Sequence, residues 1–278
     1  MAGVTFLAII AFQGEHGAYG EEAVYRHFGP EAEPLPCRSF ADVFAAVATG
    51  QAQNAVAPVE NSQAGSINDV YDLLRQHDLF VTGEVCLPVN HCLMALPGQG
   101  LGAVKRVISH PQALAQCDAY LRQLGVEIVA TYDTAGSAKQ IREQELTGVA
   151  AVAGAGAAER YKLEVLAEGI QTVKENVTRF VVLDRTPGER REGRQKSMLV
   201  LVVSHQPGSL YRALGAFAER GINVLKLESR PSRNRPWEYV FYLDFEGHRD
   251  DPPVRSALAE LAAHAAFCKV LGSFRQDV

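Results

Sequence analysis

One pattern constrains this chain more than any other: short apolar runs are each followed by a cluster of Gly, Ser, Asn or Thr that opens an amphipathic segment. Residues 8–12 run into Gln13-Gly14-Glu15-His16-Gly17-Ala18-Tyr19-Gly20, and residues 54–59 into Glu60-Asn61-Ser62-Gln63-Ala64-Gly65-Ser66. The pattern recurs at 104–108 before Ser109-His110-Pro111-Gln112-Ala113, at 126–130 before Asp133-Thr134-Ala135-Gly136-Ser137-Ala138, and at 148–153 before Gly154-Ala155-Gly156-Ala157-Ala158. A buried strand leading into a capped helix, repeated, specifies an α/β architecture. Because the alternation occurs twice over, it predicts two small α/β lobes with a cleft between them. Open α/β sheets place ligands at the carboxyl ends of their strands, where these polar clusters fall. Several helix N-termini converging there would favour a small dianion.

Local signals agree. Ser39 and Asp42 form a capping-box variant, and Phe40, Val43, Phe44 and Val47 fall at helical spacing before Gly50. Ser66 with Asp69 can cap a helix whose apolar face is Ile67, Val70, Tyr71 and Leu74; Leu114, Cys117, Leu121 and Leu124 face the core from a helix opened by Pro111. The glycine loop reads GxxGxxG rather than the GxGxxG of a dinucleotide fold, so it predicts no such cofactor. His16, His91 and His110 lack zinc spacing, and neither GxSxG nor HExxH occurs; the histidines read as structural, and no metal is expected. A formal charge of -5 argues against a nucleic-acid partner. Five scattered cysteines without CxxC indicate neither a disulfide framework nor a zinc site. The apolar start, residues 4–12, is too short for a membrane span and fits a buried first strand. A soluble, cytoplasmic protein is expected.

Before the apolar run 180–183, Asn176-Val177-Thr178-Arg179-Phe180 gathers an amide, a hydroxyl and a guanidinium, which together can hold a carboxylate and offer a proton. On these residues alone a turn, a strand threonine and a surface ion pair explain the cluster better than a site does. Taken in order, Gly14-Glu15-His16-Gly17-Ala18-Tyr19, Glu60-Asn61-Ser62, Ser109-His110-Pro111-Gln112-Ala113, residues 150–161 and Asn176-Val177-Thr178-Arg179-Phe180 resemble the motifs of prephenate dehydratases. The resemblance covers residues 1–185. It implies a two-lobed, type II periplasmic-binding-protein-like catalytic domain, with a first lobe of about residues 1–80 plus the returning segment and a second of about 90–170. The implied reaction converts prephenate to phenylpyruvate, carbon dioxide and water in phenylalanine biosynthesis without a cofactor. Thr178 is the implied catalytic residue, positioning and hydrogen-bonding the departing hydroxyl. Arg179 is expected on the side-chain carboxylate, and Asn61, Ser62, Ser66 and Asn176 on the rest of the substrate. Phe180 should sit by the ring carboxylate, because strong binding of that group would oppose decarboxylation. One departure stands out: Asp133-Thr134 occupies the place where the family leads one to expect Ser-Thr. Thr134 is carried over as a substrate-binding residue and Asp133 is not. Arogenate is an alternative substrate, and a non-catalytic two-lobed binding protein an alternative class.

Residues 186–195 read as a charged linker. Residues 196–278 follow a βαββαβ order, with strand 237–245 presenting Trp237, Tyr239, Phe241, Leu243 and Phe245 on one face, which is ferredoxin-like. This unit resembles an ACT domain. The resemblance implies L-phenylalanine as a feedback effector held by Gly208, Ser209, Leu210, Glu228, Ser229 and Arg230, with Ser209 standing where alanine is usual. It also implies a homodimer or homotetramer formed through these domains. No chorismate mutase-type helical segment precedes the first strand, so that activity is expected from another protein.

Overall fold

The computed structural model describes residues 8–232 and 238–277. Trp237 and the start of the first strand, residues 4–7, lie outside the described residues. The chain divides into two compact units, Met1–Asn68 with Val85–Phe180, and Asp69–Glu84 with Val181–Val278.

The first lobe is built from β1 (Ile9–Gln13), α1 (Tyr19–Phe28), β2 (Glu33–Cys37), α2 (Phe40–Thr49), β3 (Asn54–Asn61) and the two-residue β4 (Gly65–Ser66). After α3 (Asn68–Gln76) and β5 (Phe80–Pro88) the chain enters the second lobe, then returns as β11 (Val177–Asp184). The sheet order is β2-β1-β3-β11-β5, with β4 folded back on β3. β1 runs parallel to both β2 and β3, so the loops after β1 and β3 open at the same end of the sheet. Strand β2, Glu33-Pro34-Leu35-Pro36-Cys37, escapes the sequence pattern because its two prolines suggest a loop; they are tolerated because β2 is an edge. Ser39 caps α2 as expected, its hydroxyl accepting from Asp42 N while Asp42 accepts from Ser39 N, and Gly50 ends the helix in the left-handed region.

The second lobe comprises β6 (Cys92–Ala95), β7 (Arg106–Ser109), α4 (Pro111–Gln116), α5 (Asp118–Leu124), β8 (Glu127–Ala130), α6 (Thr134–Glu143), β9 (Val149–Ala153), α7 (Ala155–Tyr161) and β10 (Glu164–Ala167). Its sheet has the order β10-β6-β9-β7-β8, with parallel β7–β8 and β7–β9 pairs and antiparallel flanks. The expected single helix after Pro111 is two: Cys117 breaks it, which leaves Gln116 at a helix end. Apolar clusters line both faces of this sheet, and the catalytic part has the two α/β lobes that the alternation predicts.

The C-terminal part contains β12 (Gln195–Val203), α8 (Ser209–Ala218), β13 (Val224–Pro231), β14 (Tyr239–Glu246), α9 (Pro252–His264) and β15 (Ala265–Arg275), a βαββαβ unit with antiparallel order β13-β14-β12-β15. Leu243 and Phe245 meet Phe217 and Leu261 of the two helices, as the alternation requires. The opposite face of β14 is also buried, which one apolar face does not anticipate. Tyr242 packs on Tyr71 of α3 with ring centroids 4.8 Å apart and donates to its carbonyl at 3.1 Å, while Asp72 of α3 pairs with Arg230 at 3.4 Å. On the same unit the buried Lys196 ammonium lies 3.1 Å from Glu84 and 3.4 Å from Asp244. Among the described residues no helix is long and apolar enough to cross a membrane.

Candidate active site

β3 and β11 are neighbours in the first sheet, so the end of one lies beside the start of the other. Asn61 closes β3 and its Nδ2 donates to Thr178 Oγ1 at 3.0 Å and to Asn176 Oδ1 at 2.7 Å. The orientation of this amide is fixed by its oxygen, which accepts from the backbone N–H groups of Gln63 (3.0 Å) and Ala64 (2.9 Å). Thr178 Oγ1 is therefore an acceptor toward Asn61. Its own proton has no acceptor among the described residues and can be given to something bound in the cleft. Asn61, Asn176 and Thr178 are all buried, where a preformed hydrogen bond is electrostatically stronger than in water.

Gln116 reaches this cluster from the end of α4 in the second lobe. Its Nε2 donates to Asn61 Oδ1 at 3.3 Å, and its Oε1 accepts from Asn176 Nδ2 at 3.1 Å and lies 2.9 Å from His91 Nε2. Since that oxygen can only accept, His91 carries a proton on Nε2, as the neutral Nε2–H tautomer does. Burial pushes its pKa down, against the hydrogen bond to Gln116, in accord with this assignment. Sequence reasoning passed over Gln116. The available signal was a polar side chain at an inward position, three residues after buried Ala113 and next to buried Cys117.

The other expected residues divide. Ser62 Oγ accepts from Val177 N at 3.0 Å, and Ser62 N donates to the Val177 carbonyl at 2.9 Å, so Ser62 ties the turn to β11. Ser66 stands opposite Glu60 in the β3–β4 pair. Arg179 is not brought to the Thr178 hydroxyl. Successive strand residues project to opposite faces, and its guanidinium pairs instead with Glu60 at 3.2 Å, just as Asn61 next to Glu60 pairs with Thr178. Phe180 is packed in the first-lobe core with Phe12, Val56 and Leu87 rather than lining a substrate corner; a large aromatic following the polar cluster is drawn into the sheet's apolar face. Ser109 donates to the Val152 carbonyl and is structural.

A second polar cluster joins the glycine loop of the first lobe to α6 of the second. Glu15 accepts from Lys139 Nζ and from Tyr132 OH, both at 3.0 Å; burial acts to raise its pKa, but these partners outweigh it and hold the carboxyl below its usual value. Asp133 caps α6, its Oδ1 accepting from Gly136 N at 2.7 Å, and Thr134 follows as the first helical residue. Burial raises the Asp133 pKa. A Cβ on Gly14 would stand 2.8 Å from Asp133 Oδ2, and one on Gly17 would stand 2.7 Å from Ala157 Cα, so the lobes meet here only because both loop positions are glycine. Among the described residues no group of three or more His, Cys, Asp or Glu is placed to hold a metal ion.

In the C-terminal part, Gly208 adopts the left-handed conformation ahead of α8. Ser209 and Leu210 line a cavity of about 130 Å³ together with Ser204, Tyr239 and Phe241. Glu228, Ser229 and Arg230 lie on edge strand β13, outside that cavity's lining; Ser229 stands opposite Phe241, and Arg230 turns to Asp72.

With this geometry in view, comparison with known proteins is informative. The family description of prephenate dehydratase matches residues 10–188, and that of the ACT domain matches residues 197–263. Arogenate dehydratase 1 of Petunia hybrida is 45% identical over 97% of this chain and 67% of its own length. Arogenate dehydratase/prephenate dehydratase 6, chloroplastic, of Arabidopsis thaliana is 44% identical over 97% of this chain and 69% of its own length. Among solved structures, prephenate dehydratase from Arthrobacter aurescens in complex with L-Phe superposes with a TM-score of 0.88 at 31% identity, covering 96% of this chain and 90% of that one. GqqA, described as a novel type of quorum quenching acylase, gives a TM-score of 0.88 at 38% identity, covering 97% and 98%.

Proposed function

Because the chain belongs to the prephenate dehydratase family, we propose that it aromatises a cyclohexadienol dicarboxylate, converting prephenate to phenylpyruvate, carbon dioxide and water. The observation that carries the assignment of roles is the hydrogen bond from Asn61 to Thr178. It commits the threonine oxygen as an acceptor and leaves its proton for the ring hydroxyl of the substrate. As the ring C–O bond breaks, the hydroxyl leaves with a proton as water. The electron pair of the bond to the ring carboxylate becomes the new ring double bond, and carbon dioxide departs. A threonine is too weak an acid to supply that proton outright, so Thr178 hydrogen-bonds the leaving oxygen while the proton arrives from solvent. Asn61, Asn176 and Gln116 hold Thr178 in place, and Gln116 joins the two lobes around the substrate. Helix N-termini, with Thr134 opening α6, favour the side-chain carboxylate.

The catalytic domain in this reading is residues 1–185, with 186–195 as linker and 196–278 as the ACT regulatory domain. L-Phenylalanine would be the feedback effector, bound where Ser209 and Leu210 line their cavity. What supports this is the ACT match together with the L-Phe complex of the Arthrobacter aurescens relative. The ACT domains pair the chain into a homodimer or homotetramer, which light scattering would resolve. Five free thiols suit a reducing, cytoplasmic setting.

The test is phenylpyruvate formation from prephenate by the purified chain, with and without L-phenylalanine, beside Thr178→Val. Robust turnover that survives in Thr178→Val would overturn the assignment of roles. No turnover of either prephenate or arogenate would overturn the activity itself.

A further inference from the structure

The carboxamides beside Thr178 close into a ring. Asn61 Nδ2 donates to Asn176 Oδ1 at 2.7 Å, Asn176 Nδ2 to Gln116 Oε1 at 3.1 Å, and Gln116 Nε2 back to Asn61 Oδ1 at 3.3 Å. Each amide gives one bond to the next and takes one from the last, so all of them run in a single direction. An amide presents a donor on one side and an acceptor on the other, so the ring could in principle run either way; groups outside it decide. The backbone N–H groups of Gln63 and Ala64 hold Asn61 Oδ1 at 3.0 and 2.9 Å, and a backbone donor cannot become an acceptor. The direction is therefore set at that corner, and with it the bond from Asn61 to Thr178.

At the Gln116 corner the outside group is a side chain. His91 Nε2 lies 2.9 Å from Gln116 Oε1, the oxygen that already accepts from Asn176, so with the ring running this way the imidazole must donate. Gln116 reaches the ring on a long flexible side chain from the end of α4, whereas His91 is buried and held from several sides. Its ring meets the Tyr19 ring edge-on with centroids 5.9 Å apart, and the Tyr19 hydroxyl donates to the adjoining Asn90 carbonyl at 2.8 Å. Its own N–H donates to Gln171 Oε1 and its carbonyl accepts from Ile170 N, both at 3.0 Å. These bonds join the two stretches of chain that cross between the lobes, one around Asn90 and one around Gln171. His91 is thus a rigid donor facing a flexible acceptor, and burial, which pushes its pKa down, favours a donor without a charge.

We propose that His91 is a positioning residue for the dehydration: its Nε2–H pins the Gln116 amide in the ring, and the ring holds Asn61 and Asn176 where they direct the Thr178 proton to the leaving hydroxyl. This rests on the dehydratase reading above. The histidine spacing alone makes His91 structural; the ring gives it a share in turnover without contact with the substrate. When the pin is removed, Gln116 Oε1 keeps only the bond from Asn176 and its side chain is free to swing out. Asn176 then loses its acceptor, and Asn61 loses one of its donors. The backbone still holds Asn61 Oδ1, so the Thr178 hydroxyl is loosened rather than reversed. The loss falls on the rate of the chemical step rather than on substrate binding.

The test compares His91→Gln, His91→Asn and His91→Leu in the full chain, with kcat and KM for prephenate and a thermal melt for each. Glutamine carries an N–H as many bonds from Cα as His91 Nε2, asparagine falls one bond short, and leucine offers none. His91→Gln should lose at most about threefold in kcat, while His91→Asn and His91→Leu lose about 10-fold or more with KM within about threefold of wild type. Should His91→Leu fail to fold, the glutamine and asparagine variants, both polar and differing only in reach, decide the matter. The loss in His91→Leu should vanish when Gln116→Leu is already present, because His91 acts through Gln116. Equal kcat in all the His91 variants, losses that add in the double variant, or a raised KM with kcat unchanged overturns the assignment. Nitrogen-15 spectra of the imidazole should show His91 protonated on Nε2; a proton on Nδ1 alone overturns the assignment whatever the turnover. A wild type inactive on both prephenate and arogenate sinks the dehydratase reading, and this role with it.

Discussion

Asn61→Asp changes one atom type and leaves the shape of the site alone. In the native site Nδ2 of Asn61 lies 2.7 Å from Asn176 Oδ1 and 3.0 Å from Thr178 Oγ1. A carboxylate oxygen in its place faces Asn176 Oδ1 acceptor to acceptor. Asn176 cannot turn its amide to relieve this without losing the bond from its Nδ2 to Gln116 Oε1. Thr178 can respond, by swinging its O–H inward to donate to the new carboxylate. That bond holds the fold together but removes the proton from the leaving hydroxyl. Losing a directed donor of this kind costs about 10² to 10³ in kcat. The strained pair costs about 1–3 kcal/mol of stability, and unfolding midpoints fall by about 2–4 °C per kcal/mol in a domain of this size. Lowering the pH protonates the introduced carboxylate and restores one donor, so the relative activity of the variant should rise toward acid. Initial rates of phenylpyruvate and phenylalanine formation across pH, with a thermal melt beside them, measure all three effects. A variant that keeps kcat within about threefold of wild type at neutral pH would show that the direction of the Thr178 proton is irrelevant to turnover.

Thr178→Ser keeps the hydroxyl and should lose far less kcat than Thr178→Val, for which about 10² to 10⁴ is expected; equal losses in the two variants would remove the hydroxyl from the chemistry. Gly17→Ala places a methyl 2.7 Å from Ala157 Cα at a backbone φ of +84, so it should lower stability by about 1–3 kcal/mol and raise KM by prising the lobes apart. A thermal melt and substrate titration at wild-type values would show that the loops do not meet in solution. For Asp133 the folded-state pKa is raised by burial, so ionisation opposes folding: the cost is absent below the unfolded value and fully present above the folded one. The titratable groups that bear on this carboxyl are Glu15, His110, Tyr132 and Tyr161. Wild-type stability should therefore rise, relative to Asp133→Asn, as pH falls through that range, and denaturant melts from pH 7 to 4 that run parallel for the two proteins would exclude it.

The sequence carried the fold because its signals were local: Ser39 with Asp42, Gly50, and the polar clusters after the apolar runs all act within a turn or two of themselves. Strand β2 was lost behind Pro34 and Pro36, whose tolerance depends on being at a sheet edge, and edges are a property of the assembled sheet. The site was legible as a set of residues and only partly as an arrangement. Asn61, Asn176 and Thr178 do come together, but Arg179 was grouped with its neighbour in sequence although a strand sends neighbours to opposite faces. Its partner, Glu60, was available by the same alternation that pairs Asn61 with Thr178. Gln116 could not be ranked above other helix glutamines, since its importance lies in reaching Asn61 and Asn176, at 55 and 60 residues' separation. Asp133 was noticed for its chemistry, and only the structure shows it buried as the cap of α6.

The arrangement of α3 sharpens how sensing would connect to chemistry on the proposed reading. From sequence, the covalent link between Thr178 and the sensing domain is the end of β11 and the linker after it. A second link is as short. Asn61, which directs the Thr178 proton, is followed by the turn that fixes its amide oxygen, by β4, and then by α3. Residues from Asp69 onward belong with the C-terminal unit. There Tyr71 is held between the Tyr242 ring and the Lys226 ammonium, and Asp72 is paired with Arg230, one of the expected effector residues. Edge strand β13 therefore touches α3 through Lys226 and through Arg230, the latter one of the expected effector residues. A shift of β13 by a fraction of an ångström would be felt at Tyr71 and Asp72, because packed aromatic and ion-pair contacts do not stretch. It would pass along the chain to the turn at Gln63 and Ala64, whose two N–H groups orient Asn61. Regulation by this route need not close the cleft at all; rotating one amide by breaking those two bonds would suffice to misdirect the proton of Thr178.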